Sequence, residues 1–449
     1  MGIATIALAV YVLLIIAWVV IVKRNIGEAM ILGFIVTALF GGGNAFTLMK
    51  DGIVFGATHQ VLFAAMSFVF MAFLIEQTGL IKKLINILNS VFGRLPGGAA
   101  YVDTIASAIF GTISGSGSGN TATVGAITIP WMNKSGWSKD QSAMIAAGNA
   151  GMGISFPPNG SMFILLGAAS VSAVVTEGQL YVSLFLAGAY TLIYRLLIVF
   201  WFVKKNKIKK AVQESEDTFL TTLKKGWASL LIFLGILIPV LVTIGPVSEF
   251  IEKHIITADA LNSISIIVWV PMLIILITLI VGWRTIPKKP KDLMSFLEKS
   301  IPSFSLIGVI LLFSFAASDV LKNIGLADEL GSMMGSLDLS AGLMALIVGI
   351  LIILVATPLT ATATVTAIGA VAFTALVSSG INPVVAAVAI LVFASTEGAS
   401  PPGGAPIFIA SGISGVDPVK TFVPLIVYYV IPIAAIAWLI AVGWLPVLV

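Results

Sequence analysis

Ser114-Gly-Ser-Gly-Ser-Gly-Asn-Thr-Ala-Thr123 is a run of glycines and neutral oxygen-bearing side chains set between two apolar segments. In water such a stretch reads as a linker. In a bilayer, uncovered backbone costs several kcal/mol per unsatisfied group, so the run must be buried in protein or line a polar cavity. The surrounding solvent therefore decides its meaning. The chain has 449 residues, of which 59% are hydrophobic and 10% charged, with a mean hydropathy of +1.10. Soluble domains carry about 25% charged residues. Apolar segments of membrane-spanning length recur without the alternation of barrel strands, so the expected fold is an all-α polytopic membrane protein.

The flanks make the run a hairpin tip. Tyr101 to Ile113 is too short to cross, and Thr123 to Met132 returns apolar before Asn133-Lys134. This predicts a re-entrant hairpin at about 101–132, followed by a broken helix at about 141–170 interrupted at Gly151 to Gly160. The same pattern recurs. Gly125, Gly136, Pro157-Pro158 and Gly160 correspond to Gly369, Gly380, Pro401-Pro402 and Gly404, all 244 residues on. The second hairpin is expected at about 341–378, with its tip at Thr357 to Thr364, and the second broken helix at about 384–413. The first half then covers 1–210, a polar linker 211–226, and the second half 227–449.

Charge orients the chain. With Lys23-Arg24 cytoplasmic and the hairpins returning to their own sides, all but Lys50, Lys253, Lys322 and the intraspan Arg195 of the 24 Lys and Arg fall in cytoplasmic segments. Both termini are then extracytoplasmic and the repeats are inverted. Leu80 to Phe92 and Leu293 to Ser300 read as interfacial amphipathic helices, and Lys50-Asp51 as part of a polar connection. Basic residues confined to short loops give no reason to expect a nucleic-acid partner. There is no cysteine, and His59 and His254 lie far apart, so no thiolate or histidine metal site is expected. No nucleotide loop or nucleophile with its base suggests an enzyme.

Inverted repeats with discontinuous helices meeting near the midplane are the architecture of secondary transporters. Half-helix N-termini suit an organic anion, and unwound carbonyls with hydroxyl and amide oxygens suit Na⁺ as coupling ion, with no other cofactor expected. The expected sodium ligands are Ser114, Gly115, Ser116, Gly119, Asn120, Gly151, Gly153 and Pro157 in the first unit, and Thr357, Thr360, Thr362, Thr396, Gly398 and Pro401 in the second. The expected substrate contacts are Ser118, Asn120, Thr121, Asn159, Ser161, Thr360, Thr364, Glu397 and Gly403. Glu397 reads either as a functional intramembrane acid or as a cap on the half-helix that follows it. Asp103 and Asp319 read as interfacial, and Arg195 as snorkelling or paired within the scaffold.

Gly79 to Gly98, Gly111-Thr-Ile-Ser-Gly-Ser with its Thr-Val-Gly continuation, Pro157-Pro158, and Gly380-Ile-Asn-Pro with Pro401-Pro402-Gly-Gly-Ala-Pro-Ile-Phe-Ile-Ala-Ser-Gly412 together resemble the large membrane (permease) subunit of TRAP transporters, in the ion transporter superfamily. The resemblance implies elevator-type, Na⁺-driven uptake of an organic acid across a prokaryotic inner membrane. It also implies two partners, a small four-helix membrane subunit and an extracytoplasmic substrate-binding protein. A self-sufficient symporter and a Na⁺/H⁺ antiporter remain alternatives.

Overall fold

The computed structural model describes residues 2–209, 218–243, 246–255, 257, 265–326, 328–329, 339–357 and 359–449. Residues 211–217 of the expected linker, and Pro358 in the expected second tip, lie outside the described residues. All regular elements described are helical. Among the described residues, six helices have the length and hydropathy of a membrane crossing: Gln60–Gln77, Glu177–Lys205, Phe219–Thr243, Phe304–Asn323, Ala361–Ser378 and Val419–Ala441.

One group of helices packs around Ile301–Asn323, which lies along Ile26–Leu39, Ala45–Thr58 and Gln60–Gln77. Ala45–Thr58 corrects the reading of Lys50-Asp51 as a connection. Its Gly52 and Gly56 face the opposing helix so closely that an added Cβ would stand 2.9 Å from the Ala316 carbonyl oxygen and 2.6 Å from that of Leu312. That small-xxx-small spacing permits close helix contact, and it is the sequence signal the charges obscured. The amphipathic helix Leu80–Phe92 has its expected bounds, with Leu80, Ile81, Leu84, Ile85 and Ile87 buried. The second amphipathic helix runs Pro290–Glu298.

A second group holds the hairpins and broken helices. Gly98–Ser114 leads to Gly115, whose φ of 60° reverses the chain at little steric cost for glycine. Helix resumes almost at once, through Gly117–Asn120, a wide turn Thr121–Gly125 and Ala126–Lys134. The glycine-serine run is therefore mostly the first turns of a return arm, and the tip is Gly115 with Ser116. The second hairpin pairs Ala341–Ala356 with Ala361–Ser378. The broken helices are Lys139–Asn149 with Gly160–Gly167, and Pro383–Ala394 with Ala405–Ser414.

Local geometry repeats at the 244-residue spacing. Ser116 and Thr360 each cap a return arm, accepting the N–H of Gly119 at 3.1 Å and of Ala363 at 3.2 Å. Gly136 and Gly380 have φ of 90° and 93°, and Pro157-Pro158 and Pro401-Pro402 are both cis. Glu177–Lys205 and the last helical segments pack on this group, against Gly98–Ser114 and Pro383–Ala394 among others.

Candidate transport site

The centre of the unit is where the breaks meet the hairpins. Asn120, one turn into the first return arm, donates through Nδ2 to the carbonyl oxygens of Ser107 (3.2 Å) and Ala150 (3.1 Å). The first hairpin is thus tied to its own broken helix. Gly111 and Gly153 approach backbone to backbone; a Cβ on Gly153 would stand 1.9 Å from the Gly111 carbonyl carbon. The downstream halves cross over: Gly160–Gly167 packs on the second hairpin's Ala361–Ser378, and Ala405–Ser414 on the first hairpin's return arm.

The expected sodium residues divide by role. Asn120 and Thr364 stand at equivalent positions of the two return arms. Both are 0% exposed, and among the described residues Asn120 Oδ1 and Thr364 Oγ1 have no hydrogen-bond partner. A buried oxygen without a donor costs about 1–3 kcal/mol unless something else satisfies it. Ser116 and Thr360 are exposed caps. Thr357 and Thr396 donate to the carbonyls of Ile353 (3.0 Å) and Phe393 (2.8 Å). Gly151 abuts the Ser395 carbonyl, and a Cβ on Gly398 would stand 2.7 Å from that of Ala150, so the two breaks touch each other. Pro157 is buried and Pro401 partly buried; Gly115 and Gly119 are partly exposed at the first tip. For Ser114 only the backbone is described, as the last residue of its helix.

Of the expected substrate residues, Ser161 and Thr362 meet across the two units, with hydroxyl oxygens 3.4 Å apart. Thr362 lines a cavity walled by Thr112, Gly115 and Gly160 on the same side and by Ala65, Phe68, Val69, Ile307 and Leu311 on the other. This cavity lies between the two helix groups. Asn159 caps Gly160–Gly167 by accepting from the Met162 N–H at 2.9 Å, and its Nδ2 donates to Ile154 (3.0 Å) and Phe156 (2.8 Å), so the side chain shapes the break. Thr121 donates to Gly117, Ser118 is partly exposed and Gly403 is exposed.

Asp103 and Arg195 correct the sequence reading, and Glu397 narrows it. Asp103 is 0% exposed rather than interfacial, accepting from Thr128 Oγ1 and from Asn149 Nδ2 at 2.8 Å. It joins both arms of the first hairpin to the first broken helix. Arg195 neither snorkels nor forms an ion pair among the described residues; fully buried, it donates to the carbonyls of Gly148 and Thr191, each at 3.4 Å. Glu397 does not cap the half-helix that follows it. Its carboxylate lies beside the backbone N–H of Ala361 on the second hairpin. Asp319, near its helix end, accepts from Asn323 Nδ2 at 3.0 Å, as an interfacial residue can.

Two hairpins meeting two interrupted helices among long apolar helices define the class, a multi-pass helical membrane transporter. The fold matches two solved transporters. The Alcanivorax borkumensis YdaH transporter superposes with a TM-score of 0.62 at 14% identity, covering 89% of this chain and 87% of the other. Neisseria gonorrhoeae MtrF, whose structure is described as illuminating a class of antimetabolite efflux pumps, gives 0.61 at 11%, covering 89% and 85%. At those identities the likeness concerns the fold alone.

The family follows from the sequence: the chain belongs to the Tripartite ATP-independent periplasmic transporter family, DctM component, whose profile matches residues 6–446. It is 22% identical over 361 residues to the C4-dicarboxylate TRAP transporter large permease protein DctM of Pseudomonas aeruginosa, covering 80% of this chain and 78% of that one. A Salmonella typhimurium relative named YgiK is 23% identical over 386 residues, covering 85% and 82%. The isethionate TRAP transporter permease protein DctMQ of Oleidesulfovibrio alaskensis is 33% identical over 136 residues, covering 30% and 21%.

Proposed function

We propose that this chain is the large permease of a Na⁺-coupled importer of an organic anion, working by an elevator movement of the hairpin group against the group around Ile301–Asn323. The observation that carries the reading is the pair of unpartnered, fully buried oxygens, Asn120 Oδ1 and Thr364 Oγ1. Hard cations take oxygen ligands, and two such oxygens at equivalent positions, beside unwound backbone, support one sodium site per hairpin. The matched caps and breaks 244 residues apart support two repeats, and the distribution of Lys and Arg supports their inverted orientation with extracytoplasmic termini.

The solute binds in the cavity between the groups, its carboxylate on the N-terminus of Gly160–Gly167 and near the Ser161 and Thr362 hydroxyls. The relatives named for C4-dicarboxylate and isethionate transport support a small organic acid as the substrate class. A small membrane subunit and an extracytoplasmic binding protein complete the system; a relative named DctMQ supports the first.

Proteoliposomes holding the permease with its small subunit test this. Uptake of an organic acid should require an inward Na⁺ gradient and the loaded binding protein. Full-rate uptake without the binding protein would select a self-sufficient symporter. Na⁺-driven proton movement with no organic solute would select an antiporter.

A further inference from the structure

Glu397 is 4% exposed and makes no ion pair among the described residues. Its carboxylate lies beside the backbone N–H of Ala361, the first residue of the second return arm. Its Oε1 also lies against Gly117, the first residue of the first return arm, where an added Cβ would stand 2.2 Å away. Gly117 and Ala361 are 244 residues apart, so one carboxylate touches equivalent positions of both hairpins. The residue 244 before Glu397 is Gly153, so the first break supplies no second carboxylate.

The placement has an electrostatic consequence. Each return arm begins with the positive end of a helix, worth about +0.5 elementary charge, and the first arm is continuous helix from Gly117 to Lys134. Asn120 and Thr364 lie three residues beyond those starts, about 4.5 Å along the axis. A cation at either unpartnered oxygen would face the positive end of a helix. One carboxylate between the two starts, with charge −1, offsets both half-charges.

We propose that Glu397 is the shared counter-charge of a two-cation site: it cancels the N-terminal fields of both hairpins, so that one Na⁺ binds at Asn120 Oδ1 and another at Thr364 Oγ1. The proposal rests on the sodium reading above. It also excludes the solute's carboxylate from the hairpin starts and leaves it the N-terminus at Gly160.

The test is thermal unfolding of the purified full-length permease in detergent, with NaCl replacing choline chloride at constant ionic strength. The wild-type chain should be stabilised by Na⁺. Glu397→Gln, which keeps the shape and removes the charge, should raise the half-saturating Na⁺ concentration at least tenfold. Asp319→Asn, removing a carboxylate at a helix end, should leave it unchanged. If the Gln variant does not fold, Gly117→Ala serves instead, since it forces the carboxylate off the first hairpin and should weaken sodium binding while keeping the charge. A wild-type response to Na⁺ that Glu397→Gln, or Gly117→Ala in its place, reproduces unchanged overturns the shared role alone. Absence of any response in the wild-type chain overturns the sodium reading with it.

Discussion

Gly151 and Ser395, 244 residues apart, meet where the two broken helices cross, so closely that an added Cβ on Gly151 would stand 1.9 Å from the Ser395 carbonyl oxygen. The neighbouring atom is backbone, not the end of a flexible side chain. Gly151→Ala must therefore push the breaks apart, at a cost of about 1–3 kcal/mol typical of overpacking. A melting temperature equal to that of the wild-type chain would count against this crossing.

Thr364→Val removes the unpartnered hydroxyl and keeps the shape. Half-saturating Na⁺ for uptake should rise about tenfold, equivalent to about 1.4 kcal/mol. Thr366→Val is the control, because that hydroxyl already donates to the Thr362 carbonyl at 2.8 Å. Equal sodium dependence in the two variants would remove Thr364 from the site.

Asp103→Ala should act on stability instead. It leaves Thr128 Oγ1 and one Asn149 Nδ2 donor without their carboxylate, and hydrogen bonds to a charged group are worth about 1.5–3 kcal/mol each. Melting should fall markedly while the Na⁺ concentration for half-maximal response of the folded protein stays put. A variant of normal stability with altered sodium dependence would reverse that assignment.

Phe68 and Phe163 meet across the two helix groups with ring centroids 4.7 Å apart and planes tilted by 32°. The chain has no native cysteine, so Phe68→Cys with Phe163→Cys gives a clean pair for a thiol-bridging reagent. Bridging should arrest uptake, and cleaving the bridge should restore it. Undiminished transport by the bridged protein would rule out relative movement of these groups.

The sequence by itself determined the membrane class, the bounds of Leu80–Phe92, the places of both chain breaks and the 244-residue register. These are local properties: apolar length, helical period, and the backbone limits of proline and glycine, each legible within a window of some twenty residues. It also placed Asn120 and Thr364 among the site candidates. Only the tertiary structure decided which oxygens are left over. Ser116, Thr360 and Asn159 have similar chemistry, yet they are used up as helix caps, while Asn120 Oδ1 and Thr364 Oγ1 are sealed from both water and donors. Asp103 reads as a helix-end residue until three segments close over it. Glu397 reads either as a functional acid or as a cap for the helix that follows it, and only the fold, which brings Ala361 and Gly117 to its carboxylate, separates the two. Burial and partner choice are set by segments as much as 280 residues apart in the chain, and the free energy of a polar group depends on those partners, not on its sequence neighbours.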